Sequence, residues 1–487
     1  MVASGGGAGT LAPREAVGPV GVETPEAIGA GCAGVGSGVA VTGAQVWMRE
    51  GWRVDAQGHL WVGGCDTVEL AARFGTPLYV YDEGLLRERC RLYMRAFAGF
   101  APGVAVAYAG KASLTLAIAA VVAQEGLHLD VVSGGELHTA LTAGFSPERI
   151  ALHGNNKSPE ELAAALEAGV GRVIVDNFRE IELLAEQAKV LGRRQRVLIR
   201  VAPGIEAHTH DYIRTGSQDS KFGFDLQSGQ ALEAARRCAA CPGIELVGLH
   251  AHIGSQILET ACVAPLVERL LDLAVDVRRH IDVAVGELNV GGGAGIRYRD
   301  ERALEPGVLA AAIIEAVERG CASRDLPVPR LGVEPGRSII GEAAVALYRV
   351  GSEKRVPGFP PWVSVDGGMG DNIRPALYQA EYSVVTANRM LDAAQETVNV
   401  VGRYCESGDF LARAACLPRP RAGDLLAFLS AGAYQYPMSS NYNRVPRPCL
   451  LLVRDGDAAV MVERETYADL LARDRLPERL GVARVTP

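Results

Sequence analysis

The chain has 487 residues, of which 48% are hydrophobic and 22% are charged. This composition indicates a folded protein with a large core, and it excludes a disordered chain, a collagen and a coiled-coil rod. Lys and Arg number 49 against 57 Asp and Glu, so the formal net charge is −8, which disfavours a broad nucleic-acid-binding or anionic-membrane-binding surface. The length predicts about two or three domains.

Neither a targeting segment nor a membrane span is expected. Residues 1–4 lead into Gly-rich sequence without the basic and apolar regions of a signal peptide. The longest apolar run, residues 114–123, is about half as long as a bilayer-spanning helix. The ten cysteines are scattered, and the one CxxC pair, Cys238 and Cys241, lacks a second pair to complete a zinc site. We therefore expect a cytoplasmic protein with reduced thiols.

Three stretches before residue 343 differ in pattern. Residues 1–43 are rich in Gly, Ala and Val without an apolar period, which predicts a flexible tail. Residues 44–82 contain a β-rich run and are expected to add strands to a later β-domain. Residues 83–342 alternate strands with helices, and eight such units predict a (β/α)8 TIM barrel. The strand candidates are residues 105–109, 127–132, 149–153, 172–175, 196–201, 244–251, 285–290 and 329–333.

Residues 343–487 predict a mainly β C-terminal domain. Short strand candidates recur there, and Gly, Pro and Asp separate most of them. They are residues 343–350, 362–366, 381–385, 397–401, 424–430, 448–454 and 457–463. The predicted fold class is therefore α/β, a TIM barrel followed by a β-domain that N-terminal strands complete.

All eight predicted barrel strands end in polar or Gly-rich sequence. In a TIM barrel these ends meet at one mouth, where active sites are built. The residues that follow the strands are, in order, Lys111; Ser133, Gly134, Gly135 and Glu136; His153, Gly154, Asn155 and Asn156; Asp176 and Asn177; Pro203 and Gly204; His252, Ile253, Gly254 and Ser255; Gly291, Gly292 and Gly293; and Glu334, Pro335, Gly336 and Arg337. Their coincidence at one mouth predicts an active site there.

Lys111 follows the apolar strand that contains Tyr108. A lysine that leaves a buried strand loses hydration, which lowers the pKa of its amine and suits it to form a Schiff base. The alternative is a lysine whose stem covers apolar surface while its amine stays in water. The residues at the other strand ends favour the chemical interpretation.

A glycine run, Gly291 to Gly293, follows the seventh strand. Glycines let backbone N–H groups approach a phosphate, and the seventh and eighth loops of a TIM barrel commonly bind one. The dinucleotide pattern GxGxxG is broken by Ile296, and no Gly-Lys-Ser/Thr follows to make an NTP-binding loop. A smaller phosphorylated cofactor is therefore favoured.

The sixth and eighth strand ends carry groups that suit an aromatic cofactor. Glu334 can pair with a protonated ring nitrogen, and Arg337 can bind a phosphate or a carboxylate through its fork of donors. His252 can lie against a ring, and Ser255 can donate to a phosphate. A simple surface ion pair is the alternative for Glu334 and Arg337.

Two His-x-His pairs, His250 with His252 and His208 with His210, raise the question of a metal. His250 and His252 have no carboxylate or thiolate at short spacing, and no metal site is expected at either pair. A lysine, a phosphate cradle, a ring-facing histidine and an acid for a ring nitrogen together describe a site for pyridoxal 5′-phosphate.

The chain resembles the diaminopimelate decarboxylases, members of the alanine-racemase-like class of pyridoxal-phosphate enzymes, from about residue 75 to about residue 448. The resemblance rests on Tyr108-Ala109-Gly110-Lys111-Ala112, Asp130-Val131-Val132-Ser133-Gly134-Gly135-Glu136, Ser220-Lys221-Phe222-Gly223, His250-Ala251-His252-Ile253-Gly254-Ser255-Gln256, Gly291-Gly292-Gly293, Glu334-Pro335-Gly336-Arg337, Cys405-Glu406-Ser407-Gly408-Asp409 and Gly432-Ala433-Tyr434. It implies a barrel with a C-terminal β-domain, an amino-acid substrate, and a homodimer whose active sites are shared between chains.

The resemblance also implies roles for individual residues. Lys111 would hold the cofactor covalently, His252 would stack on its ring, and Glu334 would hold the proton of the ring nitrogen. The phosphate would be bound by Ser255, Gly291, Gly292, Gly293, the backbone around Gly336 and Tyr434, and Pro335 and Arg337 would also contact the cofactor. The substrate would be bound by Arg337, Arg374, Tyr378, Glu406 and Tyr434. Cys405, from the partner chain, would be the proton donor.

The reaction that the resemblance implies is decarboxylation of meso-2,6-diaminopimelate to L-lysine, the last step of lysine biosynthesis. Arg337 and Arg374 favour this dicarboxylic substrate over ornithine, lysine, arginine or carboxynorspermidine, which related enzymes decarboxylate. A racemase is disfavoured because such enzymes usually place an arginine where Glu334 stands. A non-catalytic pyridoxal-phosphate carrier would not need the β-domain that bears Cys405.

Overall fold

The computed structural model describes residues 48–205 and 220–480. The predicted tail of residues 1–43 lies outside these ranges, as do His208 and His210. Within the described ranges, none of the helices combines the length and the apolarity that crossing a bilayer requires.

The N-terminal segment and the barrel contain the first part of the element series. In chain order these elements are β1 (Arg53–Val54), β2 (Leu60–Val62), β3 (Cys65–Asp66), α1 (Thr67–Phe74), β4 (Leu78–Asp82), α2 (Glu83–Phe97), β5 (Val104–Ala109), α3 (Leu116–Gln124), β6 (His128–Val131), α4 (Gly134–Thr142), β7 (Ile150–Leu152), α5 (Pro159–Ala168), β8 (Arg172–Val175), α6 (Phe178–Leu191), β9 (Gln195–Ala202), β10 (Phe224–Asp225), α7 (Gln230–Ala240), β11 (Ile244–Ala251), α8 (Val263–Ile281), β12 (Glu287–Asn289), α9 (Pro306–Ala322), β13 (Arg330–Val333) and α10 (Arg337–Ile340).

The C-terminal part is mainly β. Its elements are β14 (Ala344–Lys354), β15 (Trp362–Val365), α11 (Arg374–Tyr378), β16 (Val384–Thr386), β17 (Glu396–Val401), β18 (Phe410–Leu417), β19 (Leu425–Phe428), β20 (Cys449–Arg454), β21 (Asp457–Val462) and α12 (Tyr467–Leu471).

Eight parallel strands of the described chain close into a barrel. They follow the order β5, β6, β7, β8, β9, β11, β12 and β13, and β13 pairs with β5 to complete the ring. The short β10 adds to the side of β9. Each of the eight strands coincides with a sequence candidate to within two residues, so the predicted barrel is confirmed, and the carboxyl ends of its strands meet at one mouth.

Some of the polar residues at the strand ends are helix caps. The side chains of Ser133, Ser158 and Asn177 accept hydrogen bonds from backbone N–H groups in the first turns of α4, α5 and α6. Such caps stabilise a helix by about 1 kcal/mol each. Polar residues at these strand ends therefore stabilise the helices that follow, whereas residues at other strand ends line the cavity described below.

Strand β4 packs on both of its faces, which joins the N-terminal segment to the rest of the protein. Tyr79 and Tyr81 belong to the large core cluster that includes the barrel, whereas Leu78 and Val80 belong to a second cluster that includes Leu60 of β2. This alternation follows the two-residue period of a strand. β4 pairs antiparallel with β14 and parallel with β20, so a strand from residues 44–82 completes the C-terminal sheet as predicted.

Several elements were not predicted from the sequence, among them α1, α11 and β18. Helix α1 interrupts the segment that was expected to be β-rich, α11 lies between two strands, and β18 was missed altogether. In β18 the register against β17 shifts twice, and Ala414 has a φ of 49°. These irregularities break the alternation by which a strand is recognised.

The tight contact at Gly171, just before β8, gives a stability prediction. A Cβ at this position would lie 2.0 Å from the carbonyl oxygen of Glu148, so Gly171→Ala should lower the free energy of unfolding by about 1–3 kcal/mol. Gly307→Ala in α9 is the matched control because a Cβ there meets nothing within 4 Å. Urea unfolding of both variants checks the prediction, and equal midpoints would contradict it.

Candidate active site

A cavity of about 180 Å³ opens at the mouth formed by the carboxyl ends of the barrel strands. Ten residues predicted from the sequence line it: Lys111, His252, Ser255, Gly293, Glu334, Gly336, Arg337, Arg374, Tyr378 and Tyr434. Ala109, Ala294 and Met438 complete its wall. The barrel and the C-terminal β-domain therefore both contribute to one cavity.

Five predicted site residues do not line this cavity. Gly291 and Gly292 line a small neighbouring space, and Pro335 lies in the backbone beside Gly336. Cys405 and Glu406 are exposed, and the backbone N–H of Cys405 donates to Oδ1 of Asn443 at 2.9 Å. The described residues of one chain thus bring together the Lys111 side of the site but not the Cys405 side.

Lys111 lies in a turn of 3-10 helix, Gly110–Ala112, directly after β5. The lysine side chain is exposed at the edge of the cavity. The desolvation expected from its place after a buried strand is therefore not provided by this chain on its own. Its amine is instead open to a ligand in the cavity.

The glycines of the seventh and eighth loops permit very close backbone packing. A Cβ on Gly293 would lie 2.3 Å from the carbonyl oxygen of Gly254, and one on Gly291 would lie 2.5 Å from that of Ala251. Both glycines also have φ values in the left-handed region, 112° and 73°. Side chains are therefore excluded, and the backbone itself forms the wall beside Ser255.

Glu334 lies at the bottom of the cavity, buried in the barrel beside side-chain nitrogens of three residues. Its Oε2 lies 3.1 Å from Nε2 of His250, and its Oε1 accepts a hydrogen bond from Nδ2 of Asn289 at 2.8 Å. Nε2 of His153 lies 3.2 Å from Oε1. An ionised carboxylate offers about four acceptor positions, so these contacts leave at least one for a ligand in the cavity.

The surroundings of Glu334 favour its anionic form. Burial by itself would raise the pKa of this carboxyl, but His250 and His153 outweigh burial and hold the pKa well below its usual range. Burial raises the pKa of the neighbouring Asp130 to about 6, against the opposing effect of His153. Glu334 lines the cavity, whereas Asp130 does not, so Glu334 presents its negative charge to a ligand there.

His252 lines the cavity and accepts a hydrogen bond at Nδ1 from the backbone N–H of Gly292, at 3.2 Å. Burial lowers the pKa of His252 well below its usual range, and the positive charges of Lys111 and Arg200 lower it further. A neutral imidazole at this wall suits contact with an aromatic ring.

Tyr434 connects the β-domain to the lysine turn. Its backbone N–H donates to the carbonyl oxygen of Ala112 at 2.8 Å, and its φ is 60°. A left-handed conformation is costly for a residue with a side chain, and such residues cluster at functional sites. The guanidinium of Arg337 lies 4.7 Å from the centre of the Tyr434 ring.

Arg337 and Arg374 are buried cations without an acidic partner among the described residues. They are 6% and 7% exposed, and the ion pairs of residues 48–205 and 220–480 include neither. Both guanidinium groups donate to the hydroxyl of Tyr298. Since buried charges are normally paired, this arrangement suits an anionic ligand.

Sequence reasoning missed the residues that hold the predicted ones. Tyr298, Tyr382, Asn289 and His153 contact Arg374 or Glu334 but come from other strands and loops. His153 and Asn289 do follow or end barrel strands, which was a usable signal. Tyr298 carried no such signal, because 76 positions separate it from Arg374. Tyr382 is only eight positions from Arg374, but no regular period relates the two residues.

Comparisons with known proteins agree with this geometry. The family model "Pyridoxal-dependent decarboxylase, pyridoxal binding domain" matches residues 83–341. The diaminopimelate decarboxylase of Bacillus subtilis is 48% identical over 431 residues, which cover 88% of this chain and 98% of that protein. The diaminopimelate decarboxylase of Mycobacterium tuberculosis strain H37Rv is 44% identical over 437 residues, with 88% and 97% covered.

Solved structures give the same result. A diaminopimelate decarboxylase from M. jannaschii in complex with L-lysine superposes with a TM-score of 0.82 at 35% identity, covering 88% of this chain and 98% of that one. One from Helicobacter pylori, also with L-lysine, has a TM-score of 0.77 at 32% identity, with 85% and 99% covered.

The position of Lys111 gives a test of the cavity. Protein reconstituted with pyridoxal phosphate and freed of unbound cofactor should absorb near the visible range, and Lys111→Ala should abolish that band because it would remove the amine that is expected to bind the cofactor aldehyde. Lys189→Ala, which changes an exposed lysine of α6, should retain it. A band that persists in Lys111→Ala would refute the assignment.

Proposed function

The chain belongs to the diaminopimelate decarboxylases, and we propose from this premise how its own residues carry out the reaction. It is a carboxy-lyase that uses pyridoxal phosphate to convert meso-2,6-diaminopimelate into L-lysine and CO₂. One observation carries the proposed mechanism. Arg337 and Arg374 are buried, have no carboxylate partner among the described residues, and line the same cavity as Lys111 and Glu334. A second carboxylate on the substrate is the anion that such a pair fits.

The donors around the cavity fit pyridoxal phosphate. Lys111 offers an amine, Glu334 has an acceptor position left for a protonated ring nitrogen, and Ser255 offers a phosphate donor beside a wall that only glycines can form. The bound cofactor supplies an electron sink for the bond to the departing carboxylate. We propose that Lys111 Nζ holds the cofactor and that His252 lies against its ring.

Glu334 keeps this electron sink effective. As an anion buried at the bottom of the cavity, it stabilises a proton on the ring nitrogen through a charge-assisted hydrogen bond. His250 and Asn289 fix the direction of the carboxylate. The side chain therefore needs no reorientation during the reaction.

Arg337 and Arg374 bind the carboxylate that is not lost, which places the other end of the substrate near Lys111. Because a meso substrate yields L-lysine, the carboxylate that leaves belongs to the D centre. Tyr378 lines the same cavity and closes the substrate side of it. This positioning is a proximity effect, which can supply a large part of the barrier reduction.

The proton that replaces CO₂ is proposed to come from Cys405 of a second copy of the chain, with Glu406 of that copy binding the substrate amino group. Support comes from the exposure of both residues and from their position outside the cavity of their own chain. The protein is thus proposed to be a homodimer with shared sites. An exposed thiol can exchange its proton, as a donor must.

Two further proposals concern organisation and location. We propose a barrel domain of residues 83–342 and a β-domain of residues 343–487 joined by residues 44–82; the match of the family model to residues 83–341 supports the first boundary. We also propose a cytoplasmic location. Eight of the nine cysteines among the described residues are free thiols, which supports it, whereas Cys416 is disulfide-bonded and so departs from the expectation of reduced thiols throughout.

A substrate panel tests the activity. Purified protein with pyridoxal phosphate should release CO₂ from meso-diaminopimelate faster than from L-ornithine, L-lysine or L-arginine, since those amino acids lack the second carboxylate for Arg337 and Arg374. Faster release from any of the three would reject the proposed substrate.

Mixing two inactive variants tests the shared site. Lys111→Ala and Cys405→Ala should each be inactive alone, and activity should return when they are mixed, because one of the two sites in a mixed dimer then has both residues. Cys241→Ala, at a half-buried cysteine outside the cavity, is the control. No recovery after confirmed subunit exchange would exclude a shared site.

The contact between His250 and Glu334 predicts a change in pH dependence. In His250→Asn, one of the two histidines that lower the pKa of Glu334 is lost, so burial raises that pKa. The carboxyl then becomes protonated at a higher pH than in the wild type. The acid limb of kcat should therefore move to higher pH, whereas His280→Asn, at an exposed histidine of α8, should leave it in place. An unmoved limb would contradict the role of His250.

A chelator experiment tests whether a metal ion binds between His153, His250 and Glu334. His153, His250 and Glu334 present ligand atoms within 4.8 Å of one another. Chelator treatment should leave the wild-type profile unchanged if hydrogen bonds alone hold the cluster; loss of activity that zinc restores would indicate a metal instead.

A further inference from the structure

Tyr298 lies at the point where the barrel and the β-domain meet behind the cavity. It follows β12 in the chain and is 7% exposed. Its backbone N–H donates to Oε2 of Glu301, and its carbonyl oxygen accepts from the backbone N–H and the hydroxyl of Ser383, at 3.0 and 2.7 Å. The tyrosine backbone is therefore fixed from both sides.

The hydroxyl of Tyr298 joins the two arginines of the cavity. Nη1 of Arg337 and Nη1 of Arg374 both donate to Oη, the latter at 2.9 Å. A hydroxyl oxygen has two acceptor positions, so the arginines occupy both. Tyr298 thereby sets the distance and the angle between two guanidinium groups that would otherwise repel each other.

The charge of this cluster is unbalanced without a ligand. Arg337 and Arg374 have no carboxylate partner among the described residues, and burial alone would raise the pKa of Tyr298. The two guanidinium groups outweigh burial and lower the pKa of that phenol. The hydroxyl oxygen accepts a hydrogen bond from each arginine but supplies no carboxylate, so the pair stays electrostatically positive toward the cavity.

We propose that Tyr298 is the positioning residue that makes the Arg337 and Arg374 pair selective for the carboxylate at the non-reacting end of the substrate. This inference rests on the proposed function of the same cavity. Arg337 reaches the cavity with its Nε and Nη2 directed at Ser255 Oγ, at 3.3 and 3.0 Å. Its orientation relative to Arg374 therefore depends on Ser255 on one side and Tyr298 on the other.

Tyr298→Phe removes the shared acceptor while keeping the ring. L-Lysine retains the carboxylate at the non-reacting end, and 1,5-diaminopentane is the same chain without it. Inhibition constants for the two compounds, measured against meso-diaminopimelate, therefore isolate recognition of that carboxylate. The wild type should prefer L-lysine, and Tyr298→Phe should reduce this preference by about tenfold to a hundredfold, as expected for hydrogen bonds to charged groups.

The remaining readouts separate positioning from a general structural effect. The inhibition constant of 1,5-diaminopentane and the affinity for pyridoxal phosphate should stay unchanged, and KM should rise more than kcat falls. Tyr467→Phe, at a tyrosine that is 77% exposed, is the control and should match the wild type. Tyr382→Phe removes a single contact to Arg374 and should cause a smaller loss of preference, which keeps the test open if Tyr298→Phe folds poorly.

Two results would overturn the inference. An unchanged preference for L-lysine in Tyr298→Phe would show that the pair needs no such positioning. An equal loss of affinity for pyridoxal phosphate would show that Tyr298 serves phosphate binding through Arg337. Failure of the wild type to release CO₂ from meso-diaminopimelate would instead reject the proposed function, so the two failures are distinguishable.

Discussion

The site depends on keeping a carboxylate charged inside a barrel. Desolvation strongly disfavours an anion in such surroundings, yet Glu334 is buried and its pKa lies well below its usual range. His250, His153 and Asn289 overcome the cost by contacts to both oxygens. Because each of them ends or follows a different strand, the closed barrel is what brings the three together.

The opposite charge is arranged in a similar way on the β-domain side. Arg374 comes from α11 and Arg337 from the start of α10, and a tyrosine rather than an acid lies between them. A carboxylate from the protein would neutralise the pair and remove its attraction for a substrate anion. The cavity thus has an anionic floor for the cofactor ring and a cationic side wall for a carboxylate, which together suit a dicarboxylic amino acid.

Much of this organisation follows from local sequence. Barrel strands such as β8 and β11 are short apolar runs between helices with clear periodicity, so both their existence and their bounds were predictable. Lys111 and Glu334 were predicted because each directly follows a barrel strand, and the carboxyl ends of all barrel strands lie at the mouth. The bulged β18 and the short α11 were not predicted, because neither has a regular period.

What the sequence could not supply is contact between distant residues. Tyr298 and Arg374 are 76 positions apart, and no periodicity relates a barrel loop to a helix of another domain. The exposure of Lys111 was also missed, because a strand pattern predicts the burial of the strand but not of the residue that follows it. Residues such as Tyr298, which contact and orient the side chains of the cavity, were thus the hardest to predict from the sequence.

The most direct test of the account follows the fate of each carboxylate. meso-Diaminopimelate labelled with ¹³C only in the carboxylate of its D centre should yield labelled CO₂ and unlabelled L-lysine, because Arg337 and Arg374 are proposed to hold the other carboxylate away from Lys111. Formation of D-lysine, or retention of the label in the product, would contradict the proposed orientation. Absence of CO₂ release would contradict the central claim itself.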